Sequence, residues 1–145
     1  CTQNRLDSPT TGNHPEFVAE TKNVCGSSSS AYITRPIELD NESTALDIRI
    51  SANIRSSSSV ELYYRVSGGS ETRKIDDIDF RPFNSTGASD STVPPAEDYE
   101  TFSEYKYSVD GLEGFTSFQL KAVLKGTNSV YPPRLKDLRG IALAV

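Results

Sequence analysis

The side chains best able to do chemistry are carboxylates in two clusters, at residues 76–79 (DDID) and 97–100 (EDYE). Two carboxylates that flank a sugar ring can hydrolyse a glycosidic bond, and a cluster of carboxylates can bind calcium. The first cluster lacks the regular aspartate spacing and the glycine of a calcium-binding loop, and no pattern brings either cluster into a shared site. We therefore predict a chain that is not an enzyme, with no catalytic residue, no metal and no cofactor.

Other reactive groups are few. His14 is the only histidine and lies in a segment without apolar periodicity, so a serine or cysteine nucleophile has no evident base. Cys1 and Cys25 are the only cysteines; they could form a disulfide but are too few for a structural zinc site. Because the chain begins with Cys1 and contains no Met, two interpretations stay open. It is a segment of a longer protein, or a mature bacterial lipoprotein with a lipid on its first cysteine.

Charge and hydropathy exclude two classes of partner. The formal net charge is −5, and the longest basic run is Arg73-Lys74, whereas proteins that bind nucleic acid gather lysines and arginines into a patch. No apolar run approaches the length needed to cross a bilayer. We therefore expect neither nucleic acid nor a membrane as a partner.

Aromatic side chains supply the best candidate for ligand binding. Tyr99, Tyr105 and Tyr107 follow a long loop at residues 84–98, which is poor in apolar residues and ends in Asp98. A tyrosine ring that points outward can stack on a sugar, and a nearby carboxylate can accept hydrogen bonds from its hydroxyls. The alternative is that these tyrosines fill the core with their hydroxyls at its rim. We retain Tyr99, Tyr105, Tyr107 and Asp98 as candidate ligand-binding residues, with a host surface glycan as the candidate ligand.

The elements that would position these residues are β-strands. Apolar and polar residues alternate strictly over residues 45–54 (ALDIRISANI), and the same period recurs at residues 60–66 and 115–126. A period of two is that of a strand with one buried face, whereas a helix repeats every three to four residues. A series of such strands between turns rich in Gly, Ser and Pro predicts an all-β fold, an antiparallel two-sheet β-sandwich like a jelly roll. We place it at residues 31–145, after an extended N-terminal arm at residues 1–30.

Finer expectations concern pairing along the chain. Residues 45–54 and 60–66 are joined by a short Ser-rich loop, which indicates an antiparallel pair. Residues 40–44 (DNEST) predict a turn. Residues 75–83 predict one strand, interrupted by Pro82.

The end of the chain predicts a buried strand and an interface. Residues 140–145 (GIALAV) are apolar on both faces, which favours a central strand or one covered by a neighbour. Val123, Ala142 and Ala144 point away from the predicted core, and exposed apolar surface marks contacts with other subunits. We therefore predict these residues at a protein–protein interface.

Several segments of the chain resemble, in order, a β-rich module of virion structural proteins from marine tailed bacteriophages, especially contractile-tailed cyanophages. The resemblance covers residues 17–145, and its most specific part is the closing TSFQLKAVLKGTN…PPRLKDLRGIALA. The other segments are AYITRPIEL, TALDIRISANI, VELYYRV, DFRPF and EYKYSVDG.

This resemblance implies a tail, baseplate or fibre-associated module, located in the virion, that contacts other virion proteins and forms a homo-oligomer. It brings no catalytic motif. Two alternatives stay open: a host-receptor or carbohydrate-binding domain of a tail fibre, and the binding domain of an exported bacterial lipoprotein. The resemblance also implies that the last strand packs inward through Leu135, Leu138, Ile141 and Leu143.

Overall fold

A computed structural model describes residues 20–21, 31–68, 73–90, 92–126 and 133–143. Of the predicted N-terminal arm, it describes Glu20 and Thr21. The predictions for four other residues fall outside the described part of the chain: Cys1, His14, Cys25 and Ala144.

The predicted all-β class is confirmed, because the described residues form strands with almost no helix. Two short 3₁₀ turns, Ile75–Asp77 and Phe83–Ser85, lie between strands. The strands are β1 (Ala31–Ile33), β2 (Ile37–Ser43), β3 (Ala45–Asn53), β4 (Ser58–Ser67), β5 (Arg81–Pro82), β6 (Ser103–Val109), β7 (Phe115–Gly126) and β8 (Arg134–Leu143).

The strands form two antiparallel sheets, which gives the predicted two-sheet sandwich. The larger sheet has the order β1-β7-β4-β5, with β2 also on β7, and the smaller sheet has the order β6-β3-β8. β1 and β2 follow one another along the same edge of β7, from Ala31 opposite Val123 to Ile37 opposite Phe118. Pro36 lies where they are interrupted, since a proline nitrogen has no hydrogen to donate to a strand ladder.

The pairing of the strands is nested. If strands are counted outward along the chain from the loop between β4 and β5, each strand before the loop pairs with the strand at the same count after it. β4 pairs with β5, β3 with β6, and β2 with β7. This is the arrangement of a long hairpin rolled into two sheets, the jelly roll. The next pair outward would join β8 to a strand that precedes β1. No such strand occurs among the described residues, so within them the outer edge of β8 has no partner.

The core fills the space between the sheets and follows the predicted alternation. Every second residue of β3, β4, β6 and β7 points inward, and burying a large apolar side chain contributes about 1.5–3 kcal/mol. The inward side chains include Leu46, Ile48, Ile50, Ala52, Val60, Leu62, Tyr64, Tyr105, Tyr107, Phe118, Leu120 and Ala122.

The predicted pairing of residues 45–54 with residues 60–66 is wrong. β3 lies in the smaller sheet between β6 and β8, whereas β4 lies in the larger sheet between β7 and β5. The Ser-rich connection therefore crosses from one sheet to the other, and at its turn the Ser58 N–H donates to the Arg55 carbonyl oxygen (3.0 Å). Both strands bury one face, so alternation cannot distinguish neighbours in a sheet from strands that face each other across the core.

Two local predictions are also wrong. β2 continues through Ser43, so residues 40–44 do not form a turn, and the chain changes sheet at Thr44 instead. Residues 75–83 do not form one strand. They begin with the 3₁₀ turn Ile75–Asp77 and reach only the two-residue strand β5, whose proline suits an edge position.

Candidate functional site

The side of the sandwich between β6 and the β4–β5 pair is closed. Phe83 is fully buried there, and its ring centroid lies 4.8 Å from that of Tyr64 and 5.9 Å from that of Tyr107. The Leu62 N–H donates to the Gly87 carbonyl oxygen (2.9 Å), which ties the segment after Phe83 to β4. This segment therefore seals one opening of the space between the sheets.

In the part of the chain that the structure describes, the opposite side, between β8 and the edge formed by β1 and β2, is open. A groove of about 340 Å³ with mostly apolar walls lies between the two sheets here. On the other face of β8, Ile141 is 59% exposed and Leu143 is 44% exposed. Apolar surface is thus present on both faces of β8, and exposed apolar surface is a feature of interaction sites. The groove walls include Ile37, Leu39 and Phe118 from the larger sheet and Leu138, Gly140 and Ala142 from β8.

Among the described residues, the last strand, β8 (Arg134–Leu143), lies at the edge of its sheet, so the central position predicted for it is wrong. That a neighbour covers this strand stays a prediction. Of the residues that the resemblance placed inside, Leu135 and Leu138 are partly buried against the core, whereas Ile141 and Leu143 are exposed. Alternate residues of a strand point to opposite faces, so Leu138 cannot share a face with residues three and five positions further on.

The outer face of the smaller sheet carries ion pairs around the exposed isoleucine. Arg49 Nη1 lies 3.0 Å from Glu104 Oε1, and Arg139 Nη2 lies 3.1 Å from Glu104 Oε2. The hydrogen bond to Glu104 and the nearby Asp47 raise the pKa of Arg49. The register places Ile141 opposite Asp47. Because these ion pairs are exposed to water, they stabilise the fold little, and Ile141 stands out as the apolar feature of this face.

A second concavity, of about 330 Å³, lies on the closed side, between the turn after β3 and the long loop before β6. Its lining combines aromatic rings from Tyr105 and Tyr107, hydroxyls from Ser58 and Ser59, and the guanidinium of Arg55. Burial raises the pKa of the Tyr107 hydroxyl, so this group stays protonated at neutral pH. Apolar rings with hydroxyls and one cation around them suit a small polar ligand such as a sugar.

The four predicted ligand-binding residues do not share one surface. Tyr105 and Tyr107 are buried on the inner face of β6, where they line this pocket with little exposed area. Tyr99 and Asp98 do not line it. Arg55 connects the two groups, because it lines the pocket and its guanidinium carbon lies 5.0 Å from the Tyr99 ring centroid. Sequence reasoning missed Arg55, since an arginine in a serine-rich turn carries no periodic signal.

Asp98 is engaged in its own turn. Hydrogen bonds from the Thr101 hydroxyl and from the backbone N–H groups of Thr101 and Glu100 lower the pKa of its carboxyl group. Asn53, which is fully buried, donates through Nδ2 to the carbonyl oxygens of Asp98 and Thr101, both at 2.7 Å. These contacts fix the turn against the end of β3, which gives Asp98 a structural role.

The predicted interface residues separate in the structure. Val123 is 0% exposed and packs with Phe80 and Tyr63 on the outer face of the larger sheet. The expectation that it lies at the surface is therefore corrected, because the segment containing Phe80 covers this face. Ala142 is partly buried and lines the open groove, and Ala144 lies outside the described residues.

A buried polar layer accompanies Val123 under the same cover, made of Arg65, Gln119 and Lys121. Arg65 Nε donates to Gln119 Oε1 (2.7 Å), and the Arg65 guanidinium lies 4.3 Å from the Phe80 ring centroid. Lys121 Nζ lies 2.8 Å from Glu20 Oε1. Charged groups in this position hold the covering segments on the sheet.

Carboxylates of the two acidic clusters also hold loop segments in place. Asp76 Oδ1 lies 3.4 Å from Arg65 Nη2, and Asp98 holds the turn described above. Within the described ranges, no group of three or more His, Cys, Asp and Glu side chains is placed to hold a metal ion. Nor does this part of the chain contain a helix long and apolar enough to span a bilayer.

Fold and sites together define an all-β, two-sheet jelly-roll sandwich, whose described residues close one side and leave the other open. The chain matches no family model, and no curated protein or solved structure matches it either.

Proposed function

We propose that the chain is a non-catalytic structural module of a phage virion, in the tail, baseplate or a fibre, and that it acts by binding another protein subunit. The observation that carries the proposal is the open side of the sandwich. There β8 has no partner strand among the described residues, Ile141 and Leu143 are exposed on it, and an apolar groove lies beside it.

An open edge of this kind favours a protein partner. Backbone N–H and C=O groups along an edge strand bind another strand readily, and proteins protect such edges with charges, prolines or covering loops. The end of β8, residues 140–143, carries no charge and no proline. The closed side shows the protected alternative, with Phe83 buried across the opening. The virion setting is supported by the resemblance of the strand segments to virion modules.

The virion setting is tested on purified particles. We expect peptides of the chain to sediment with tailed particles through a density gradient and to resist a high-salt wash. Within the particle, amide hydrogen exchange of β8 should be slower than in the free chain at a dilution where it is monomeric. Exchange in the turn at residues 55–58 should not change, which serves as the internal control. Absence of the chain from washed particles, or equal exchange of β8 in both states, would contradict the proposal.

A second candidate function, binding of a host surface glycan, is favoured by the pocket on the closed side. The aromatic rings of this pocket could pack on the apolar face of one sugar ring, and its hydroxyls and single guanidinium could form hydrogen bonds with the sugar hydroxyls. Tyr99, which is 36% exposed beyond Arg55, would extend the contact to a second ring by stacking.

The glycan candidate predicts binding that depends on Arg55. In a glycan array and in NMR titrations with monosaccharides, we expect Arg55→Ala to weaken binding about tenfold or more, since it removes a charged donor to the ligand. Arg49→Ala is the matched control, because it removes an arginine from the outer face of the smaller sheet. Equal effects of the two substitutions, or no binding to any sugar, would rule this candidate out.

A further inference from the structure

We propose that the pocket on the closed side binds the end of an acidic oligosaccharide, whose further sugars lie along a cation–aromatic strip that begins at the rim of the pocket. The strip consists of Arg55, Tyr99, Arg134, Phe102 and Lys136. This inference rests on the glycan-binding candidate above and deepens it, since it names the charge of the glycan and the residues that recognise that charge.

The charge of the pocket comes from an arginine. Of the described residues that line the pocket, Arg55 alone has a charged side chain, and the others are apolar or carry hydroxyls. The acidic side chains of the neighbouring loop, Glu97, Asp98 and Glu100, do not line it. A sugar in this pocket therefore meets a guanidinium, which binds a carboxylate through parallel hydrogen bonds. A sugar acid fits this pocket better than the neutral sugar of the same shape.

The carboxylate of Asp98 does not use up the charge of Arg55. Hydrogen bonds from the Thr101 hydroxyl and from the backbone N–H groups of Thr101 and Glu100 lower the pKa of Asp98, and the nearby Arg55 lowers it further by a smaller amount. Asp98 is thus stabilised mainly by its own turn. Because a guanidinium has several N–H donors in one plane, Arg55 can hold its neighbours in the chain and a ligand carboxylate together.

From Arg55 the strip continues along the end of the smaller sheet. The Arg55 guanidinium carbon lies 5.0 Å from the Tyr99 ring centroid, and Arg134 Nη1 donates to the Tyr99 carbonyl oxygen (2.9 Å). The Phe102 ring centroid lies 5.5 Å from the Arg134 guanidinium carbon and 5.6 Å from Lys136 Nζ. Cations and aromatic rings therefore alternate along the strip, which suits a chain of sugars that presents apolar ring faces and carboxylates.

A bulge in β8 places Lys136 in the strip. The described strands β3 and β8 shift register so that Lys136 has no counterpart on β3. A bulge re-aims a side chain, and bulges are frequent beside functional sites. Here the bulge brings Lys136 to the same ring as Arg134, two residues earlier. Both side chains are exposed, so their charged ends can reach a ligand on this surface.

A sugar chain suits this surface better than a single-stranded nucleic acid, which also binds aromatic rings and cations. Binding of nucleic acid depends strongly on neutralising its phosphates with basic residues. The net charge of −5 and the exposed Glu97, Glu100 and Asp137 near the strip in sequence oppose that attraction. A sugar acid gains hydrogen bonds to the hydroxyls of Ser58 and Ser59 in the pocket as well as the ion pair.

Titration with two matched sugars tests the pocket. We expect glucuronic acid to bind about tenfold or more tightly than glucose, because its carboxylate adds a charge-assisted pair with Arg55. The difference should shrink as the salt concentration rises. Arg55→Gln should weaken binding of glucuronic acid and remove the difference between the two sugars. Arg49→Gln is the matched control, since Arg49 lies 3.0 Å from Glu104 on the outer face of the smaller sheet.

An oligomer of galacturonic acid tests the strip. We expect Lys136→Gln to weaken binding of the tetramer about threefold or more, because it removes one charged donor beyond the pocket. The same variant should bind glucuronic acid as the unchanged protein does, since Lys136 does not line the pocket. Lys106→Gln is the matched control, because Lys106 is an exposed lysine of β6 outside the strip.

The outcomes separate this inference from the candidate on which it rests. Equal binding of glucuronic acid and glucose would overturn the inference and leave the glycan candidate in place. Binding of neither sugar, and of no sugar on the array, would remove both. Oligothymidylate that binds more tightly than the galacturonic acid tetramer would also overturn the inference, because the strip would then recognise a nucleic acid.

Discussion

Replacing Glu20 by Gln should lower the free energy of unfolding by about 3–5 kcal/mol, a large fraction of the stability of a small domain. Glu20 is the partner of Lys121, whose side chain is only 1% exposed on the covered face of the larger sheet. The two side chains approach to 2.8 Å, and Lys121 Nζ also donates to the Glu20 backbone carbonyl oxygen at 3.1 Å. The substitution keeps the shape of Glu20 and removes its charge, so a buried ammonium loses its carboxylate.

Burial is what makes this effect large. The Phe80 ring centroid lies 5.5 Å from Lys121 Nζ, so little water can replace the missing carboxylate. The Lys125–Glu61 pair is a matched control, since its atoms lie at a similar 2.9 Å but Lys125 is 48% exposed. Lys125→Met should cost no more than about 1 kcal/mol. Urea unfolding followed by circular dichroism measures both losses.

A double substitution separates the charge from the packing. When both partners of a buried ion pair become apolar, no charge is left without a partner, and stability is often recovered. Glu20→Leu with Lys121→Met should therefore be more stable than Glu20→Gln alone. If Glu20→Gln and Lys125→Met lower stability equally, the Lys121 site is wetter than its burial indicates.

The strands that the sequence predicts best are those with one covered face. In β3, one face packs on the core and the other faces water, so apolar and polar residues alternate along the strand and each type indicates the side to which its side chain points. The inward direction of Tyr105 and Tyr107 follows from the same rule. Their core position was the alternative to ligand binding at the outset, and burial of both rings supports it.

Strand pairing could not be predicted in the same way. β3 and β4 each need an apolar neighbour, and that need is met equally by a strand beside them or by a sheet across the core. The length of the connection at residues 55–57 does not decide between the two. The fold places these strands in different sheets because β7 and β8, far along the chain, pair with them.

The burial of the outer face of the larger sheet could not be predicted from the sequence for a related reason. Gln119 and Lys121 alternate with apolar residues and thus have the pattern of a solvated face. Their burial depends on Phe80, which is brought over the sheet by an irregular segment without periodicity. A signal was nevertheless present, since Val123 interrupts the polar face of β7 with a residue that favours burial.

The candidate site residues show the same difference between what residue type indicates and what depends on the fold. Asp98 and Tyr99 were selected by residue type, but their positions depend on Asn53, whose amide holds their turn from a distant strand. The exposure of Ile141 depends on β8 being an edge, which only the order of strands reveals. Residue type therefore indicated candidates, and topology decided which of them are buried and which are exposed at a strand edge.

Replacing Phe83 by Ala should cost about 3–5 kcal/mol, the range for truncation of a fully buried aromatic side chain. Phe83 is 0% exposed and is the side chain that closes the space between β4 and β6, in contact with the rings of Tyr64 and Tyr107. Its removal leaves a cavity that the neighbouring strands, held in their sheets, cannot fill.

The backbone after Phe83 increases the dependence on this side chain. Asn84 and Ser85 both have positive φ angles, 52° and 69°, which cost energy for residues other than glycine. Burial of Phe83, together with the Gly87 N–H bond to its carbonyl oxygen (2.6 Å), holds them in this conformation. Without the ring, we expect the 83–87 segment to open and amide exchange in β6 to accelerate.

Phe83→Leu is the companion variant, because it keeps most of the apolar volume and should cost less than about 1.5 kcal/mol. Tyr99→Ala serves as the control for an aromatic ring outside the core, with an expected change within about 0.5 kcal/mol. Urea midpoints and hydrogen exchange of β6 measure the series. Equal losses for Phe83→Ala and Tyr99→Ala would show that the closed side is not sealed by this ring. A larger loss at Phe83 would tie the stability of the sandwich to the closure of this side by the Phe83 ring.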